Sequence, residues 1–237
     1  MADVAVVVPW RGGCPHRETA WTWIRARYAA THPDWPVLVG TAPAGDWCKA
    51  RAVADAVAQT AAEVLVVADA DVWTDNLTSA VDKLTAGAAW VVPHRPVYRL
   101  DEGRTAAVLA GAPLDPADAS GLDQAPYPGQ PGGGIVVLRR STWEQVPLDP
   151  RFVGWGQEDV AWRYALDGVA GGHEQISGPL WHLWHPPQPR LRRRVGSLAG
   201  VRLCDRYRAG ARRPERLQAL VNEARHALQE VTPCASS

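Results

Sequence analysis

Val64-Leu65-Val66-Val67-Ala68-Asp69-Ala70-Asp71 is the stretch that decides the fold of this chain of 237 residues. Five apolar residues, three of them valine, read as a buried strand, and an acidic Asp-x-Asp closes it. In an extended segment Asp69 and Asp71 lie on the same side. Two carboxylates at a sheet edge suit Mg2+ or Mn2+, with phosphates and water completing the shell. Outward from this strand the pattern alternates. Val4–Val8 is a short strand, broken by Pro9-Trp10-Arg11-Gly12-Gly13. Residues 17–30 are helical, with Ala20, Trp21, Ile24 and Tyr28 on one face, and 36–39 form a second strand. The clearest helix spans 47–62, where Ala50, Val53, Ala54, Val57 and Ala61 repeat at helical spacing. Beyond the Asp-x-Asp, Thr74 or Asp75 caps a helix running to Leu84, and 88–92 is a further strand.

Such alternation defines an α/β fold: a mostly parallel sheet with helices on both faces. Ligands of these sheets bind outside the carboxyl ends of the strands. Pro9-Trp10-Arg11, the aspartate pair and Pro93-His94-Arg95 all fall at that rim. Residues 100–131 read as a loop-rich connection, after which Gly132-Gly133-Gly134 leads into the strand 135–138. A helix is expected over 158–166. Past Pro186-Pro187 the chain turns basic, with Arg190, Arg192, Arg193 and Arg194. A last amphipathic helix covers 214–231, with Leu217, Leu220, Val221, Ala224 and Leu228 on one face. The expected organisation is one domain over 1–187 and a basic, mainly helical C-terminal extension over 188–237 packed on it.

The chain is 46% hydrophobic and 21% charged with zero formal net charge, which reads as soluble and globular. That balance argues against a global electrostatic grip on nucleic acid or membrane. No apolar stretch approaches the roughly 20 residues of a transmembrane helix, and no leader precedes the first strand, so a cytoplasmic location is expected. Cys14, Cys48, Cys204 and Cys234 form no CxxC pair and are read as free thiols. The twelve tryptophans are assigned chiefly to packing.

Two further segments carry chemistry. Phe152-Val153-Gly154-Trp155-Gly156-Gln157-Glu158-Asp159 sets glycines around a tryptophan, a loop able to close over a ligand. Glu158 and Asp159 then stand in the first turn of a helix, whose dipole favours the ionised carboxylate a general base needs. Trp181-His182-Leu183-Trp184-His185-Pro186 offers two histidines three apart, and a nitrogen ligand tilts preference from Mg2+ towards Mn2+.

The order of these motifs, with Lys49-Ala50-Arg51 on a helix between the first two, resembles GT-A (Rossmann-like) glycosyltransferases. The likeness is to the β-1,4-galactosyltransferase group and to chondroitin-polymerase-like and polypeptide N-acetylgalactosaminyltransferase-like relatives sharing its C-terminal motif. It covers residues 4–187. It implies transfer of a hexosyl or N-acetylhexosaminyl group from a nucleotide diphosphate sugar, UDP-linked, to an acceptor hydroxyl with inversion. Pro9, Arg11 and Arg51 would contact the nucleotide, and Gly133 and Gly134 would line the donor site. Asp71 would be the principal ligand of Mn2+ or Mg2+, Asp69 would lie near ribose and metal, and His182 or His185 would complete the shell. Trp155 would sit on the closing loop, Glu158 would orient sugar hydroxyls and Asp159 would be the base. The family often shows Gly-Gly-Glu where this chain has Gly156-Gln157-Glu158, and its helix asparagine is replaced around Ala54 and Asp55. The competing readings are a retaining transferase of the same fold, a nucleotidyltransferase and a non-catalytic sugar-nucleotide-binding module. The acceptor stays open among saccharide, lipid-linked sugar, protein and modified nucleic acid.

Overall fold

The computed structural model describes residues 2–118, 120–187 and 196–230. In chain order its elements are β1 (Val4–Pro9), α1 (Pro15–Thr31), β2 (Val37–Gly40), α2 (Lys49–Val57), β3 (Val64–Ala68), β4 (Val72–Trp73) and α3 (Leu77–Thr85). There follow β5 (Trp90–Val92), β6 (Val97–Arg99), α4 (Glu102–Leu109), β7 (Ile135–Arg139) and α5 (Arg140–Gln145). The last are α6 (Glu158–Ala165), which runs into a π-helical turn, β8 (Glu174–Gln175), β9 (Leu180–His182), α7 (Leu198–Gly210) and α8 (Pro214–Gln229).

Six strands form the central sheet in the order β2-β1-β3-β7-β5-β8. β1 pairs in parallel with β2 and β3, β5 pairs in parallel with β8, and β7 runs against β3 and β5. The sheet is mostly parallel, as the alternating pattern requires. Successive side chains of β1 and β3 enter opposite cores. Val6 and Val66 meet α1 and α3 through Ile24, Tyr28 and Leu77. Val7, Leu65 and Val67 meet α2, α6, α7 and α8 through Val53, Trp162, Tyr207 and Leu217. Burial on both faces explains why β3 reads as an unbroken apolar run. Trp21, Trp73, Trp90, Trp143, Trp162 and Trp181 lie in these cores, which is the packing role expected of most tryptophans.

Three local expectations are corrected. α2 stops at Val57 rather than continuing to 62, because Arg140 gathers the carbonyls that follow. Its Nε donates to Ala62 at 2.9 Å and its Nη2 to Thr60 at 2.8 Å, a substitute for further helical hydrogen bonds. The connection 100–131 contains α4, capped by Asp101, whose carboxylate accepts the Arg104 amide at 2.7 Å. α3 is entered through Asn76 without a side-chain cap, while Asp75 accepts the Trp73 indole at 2.7 Å instead.

In the C-terminal segment, α7 and α8 pack on α6. Buried Asp149 anchors them: Tyr207 Oη donates to it at 2.8 Å and Arg151 pairs with it at 2.6 Å. Arg151 also meets Glu223 of α8, which Arg206 holds from α7. The arginines 190–194 and Cys234 lie outside the described residues, and Cys14, Cys48 and Cys204 are free. No described helix is long and apolar enough to cross a membrane.

Candidate active site

A second, three-stranded sheet, β4-β9-β6, builds the first half of the site. β3 ends at Ala68, the chain turns at Ala70-Asp71, and β4 leaves in a new direction. β4 pairs antiparallel with β9, Val72 opposite His182, and the Leu183 amide donates to the Asp71 carbonyl at 2.9 Å. This register brings the Asp-x-Asp and the His-Leu-Trp-His segment together across more than a hundred residues of sequence. Trp184 is pinned by its amide on Thr105 Oγ1 of α4 at 2.8 Å and by an edge contact with His16.

Candidate ligand atoms of Asp71, His182 and His185 all lie within 4.8 Å of one another. Both histidines converge on Asp71. Nδ1 of His182 bonds the Leu183 carbonyl at 2.9 Å and Nδ1 of His185 bonds the Pro186 carbonyl at 2.8 Å. Each ring thereby keeps its proton on Nδ1 and presents the Nε2 lone pair, the outer-shell arrangement of metal-binding imidazoles. Burial lowers the His182 pKa to about 4, which keeps the ring neutral. Burial pushes the Asp71 carboxyl up, but interactions with the His182 and His185 rings and with the Arg17 guanidinium, 3.2 Å away, outweigh it and hold the carboxyl below its ordinary value. A carboxylate and two oriented imidazoles fit a divalent cation of the Mn2+ type.

Asp69 does not join this cluster. The turn after it separates the two aspartates, correcting the expectation that they share one side. Asp69 instead receives Lys49 Nζ at 2.8 Å, and the same ammonium lies 3.0 Å from Asp159. Lys49, the first residue of α2, thus bridges the end of β3 and the start of α6. Asp159 keeps 29% of its side-chain surface open, enough for a reactant to reach it. Gly132 and Gly133 make this approach possible. A Cβ on Gly132 would stand 2.1 Å from the Asp159 carbonyl, and one on Gly133 would stand 2.5 Å from Asp159 Oδ2. The Gly134 carbonyl accepts the Asp69 amide at 2.9 Å.

The helix dipole does not set the charge of the acidic pair as the sequence suggested. Burial raises the Asp159 pKa, against the pull of Lys49, and it raises Glu158 to about 8 with Asp159 adding to the shift. Glu158 Oε2 is buried without a hydrogen-bond partner. At neutral pH the site therefore holds a protonated glutamic acid beside a lysine-paired aspartate.

Pro9 ends β1, and beyond it Trp10 and Arg11 line a concavity of about 240 Å³ with the 41–47 loop, including Trp47. The Gly154 amide donates to the Trp47 carbonyl at 2.8 Å, so the loop carrying Trp155 is fastened to this concavity. Arg51 is elsewhere: its Nη2 donates to the Ala227 carbonyl near the end of α8, a correction to its expected nucleotide contact. The sequence reading passed over Lys49 and Arg17 as site residues. Lys49 carried a signal, being one of two lysines in a chain whose basic residues are otherwise arginine. His94 was placed at the rim, and it lies buried beside Gly134 with neither ring nitrogen hydrogen-bonded.

Fold and site together define an α/β protein with an acidic, imidazole-bearing rim. No protein-family model and no curated protein matches the chain. Among solved structures it is similar to a Drosophila β-1,4-galactosyltransferase 7 mutant in complex with manganese, UDP-Gal and xylobiose, at 12% identity and a TM-score of 0.45. That match covers 74% of this chain and 65% of the other, slightly under two thirds of its length. It is also similar to glucosyl-3-phosphoglycerate synthase from Mycobacterium tuberculosis in complex with Mn2+, UDP-Glc and phosphoglyceric acid. There the identity is 17%, the TM-score 0.46, and the coverage 93% of this chain and 80% of the other. At such identities no residue role passes from either protein to this one.

Proposed function

We propose that this chain is a metal-dependent glycosyltransferase of GT-A type, moving a sugar from a UDP-linked donor to an acceptor hydroxyl with inversion. One observation carries the reading: Asp69-Ala70-Asp71 divides its carboxylates between an imidazole cluster and a lysine-bridged acid pair. In this reading a cation site and a candidate base both take a carboxylate from the segment that follows β3.

Asp71, His182 and His185 would hold Mn2+ or Mg2+, which when bound neutralises charge on a leaving diphosphate. The concavity between Trp10 and Trp47 receives the nucleoside, with Arg11 at its wall, Pro9 just before it at the end of β1, and Asp69 towards the ribose. Asp159 accepts the proton of the acceptor hydroxyl while that oxygen bonds to the anomeric carbon. The bond from this carbon to the diphosphate breaks, and its electron pair leaves with the diphosphate. A carboxyl raised by burial is a stronger base than an exposed one, and Lys49 holds it in place. Protonated Glu158 donates to a sugar hydroxyl, Gly133 and Gly134 give the donor room, and Trp155 closes over it. Residues 1–187 form the catalytic domain in this reading and 188–237 its extension, in a cytoplasmic protein.

Binding and slow hydrolysis of a UDP-sugar panel, with Mn2+, Mg2+ or EDTA, test the proposal in wild type and Asp71→Ala. Metal-dependent UDP binding that disappears in the variant is expected. A folded protein with no nucleotide affinity under any of these conditions refutes it. The anomer of the product, read by NMR, tests the inversion: retention removes Asp159 from the role of base.

A further inference from the structure

A concavity of about 610 Å³ opens between the end of α6, the end of α7 and the start of α8, away from the rim described above. Tyr164 forms part of its wall, and Arg208, Arg212, Arg213 and Arg216 supply its charge. Arg208 has a carboxylate partner, Asp205, at 2.5 Å. Among the described residues Arg212, Arg213 and Arg216 make no ion pair, although the chain as a whole has as many acidic as basic side chains. Uncompensated guanidinium groups around one hollow repel one another, so folding alone gives no reason to gather them.

α8, a helix of 16 residues, begins here, with Arg213 at its N-cap, Pro214 as its first residue and Glu215 in its first turn. Three guanidinium groups without an ion-pair partner thus gather where α8 starts. Charge is also distributed unevenly along the chain. Residues 188–237 hold eleven arginines against four acidic residues, which leaves residues 1–187 with the opposite excess. A zero net charge hides a basic C-terminal segment joined to an acidic remainder.

We propose that this hollow is a second anion site that takes a phosphate-bearing ligand. Guanidinium forks match phosphate oxygens two at a time. The volume is that of a small-molecule pocket, several times what a lone phosphate occupies, so the ligand is an oligophosphate or a phosphate with an organic substituent. The site is independent of the donor: it contains no carboxylate or imidazole in its wall to hold a cation. It shares α6 with the candidate base, since Tyr164 lies five residues beyond Asp159 on that helix, about 7.5 Å along its axis.

The test uses the full chain in EDTA, with two probes: inorganic pyrophosphate, followed by titration calorimetry, and phosphatidylcholine vesicles with or without phosphatidylglycerol, followed by co-sedimentation. Arg212→Gln/Arg216→Gln removes two exposed guanidinium groups, and Arg213→Gln alone is a second, independent variant. Binding of either probe that weakens about tenfold in the double variant and falls with added salt is the expected result. Response to pyrophosphate alone identifies a soluble phosphate ligand, and response only to the anionic vesicles identifies a lipid headgroup. Either supports the site. Failure of both probes to bind the folded wild type overturns it, as does binding that both variants leave unchanged. Loss of UDP affinity on Asp71→Ala has no bearing on this result, so the two proposals fail separately.

Discussion

Replacing Lys49 by methionine keeps the length of the side chain and removes the ammonium shared by Asp69 and Asp159. Each contact, at about 3 Å and an effective dielectric of about 20, is worth about 5 kcal/mol of Coulomb energy. Much of this only offsets the cost of taking the ammonium out of water, so the sum is no measure of stability. What counts is the pair of carboxylates left facing each other, and losing one partner of such a group costs about 3 kcal/mol. In a chain of this size that lowers Tm by about 9 °C. The sign with pH follows. Without Lys49 the Asp159 carboxyl, already raised by burial, is pushed further above its unfolded value of about 4, so the deficit is full at alkaline pH and closes as acid protonates it. Urea unfolding of wild type, Lys49→Met and Lys49→Met/Asp159→Asn at about pH 5 and about pH 8 measures it. Removing Asp159 together with Lys49 is expected to return more than about 1 kcal/mol. A single-variant loss under about 0.5 kcal/mol, or one equal at both pH values, refutes the account of Lys49 as the shared counter-ion.

Three other substitutions probe neighbouring features. Gln157 sits at the N-cap of α6 with φ of 77°, in the left-handed region that costs a side chain about 1 kcal/mol. Gln157→Gly should raise Tm by about 3 °C in a thermal melt, and a fall in Tm contradicts the strain. Glu158, raised to about 8, stabilises the fold in its protonated form; that contribution is complete below about pH 4.5 and is lost as pH rises through 8. The gain of Glu158→Gln over wild type should therefore grow from pH 5 to about pH 8.5, and a pH-independent difference in Tm opposes the reasoning. Gly133→Ala places a Cβ 2.5 Å from Asp159 Oδ2 and must displace that carboxylate. Turnover should drop about a hundredfold while UDP affinity stays close to wild type, and equal turnover would show that the glycine is not needed for the approach.

Much of this architecture was legible because the cores demand it. β3 and β1 are apolar on both faces, and α1 and α8 carry apolar stripes, so their positions follow from periodicity. α4 was not legible because Gly103 and the following Gly- and Pro-rich stretch obscured the Asp101 cap. The end of α2 was hidden for a different reason: its stop signal is Arg140, which reaches it only through the fold. At the site, the sequence named Asp71, His182, His185 and Asp159 from residue type and order. The separation of Asp69 from Asp71 escaped it, since it depends on β4 turning out of the main sheet to pair with β9. Arg51 shows the converse, a basic residue close to the right place in sequence whose helix face directs it to α8.

The support of α6 by helices that follow it in the chain also bears on when the acid pair is assembled. Trp162, Ala165 and Leu166 are covered by Tyr207, Leu217 and Val221, and Asp149 beneath them depends on Tyr207. While the polypeptide is still being synthesised, the ribosome releases the strands and both acidic motifs well before these partners. The nascent chain therefore carries Asp159 on a helix with one apolar side uncovered. Until α7 and α8 have emerged the acid pair lacks this support, and that interval is when the segment is most exposed to aggregation.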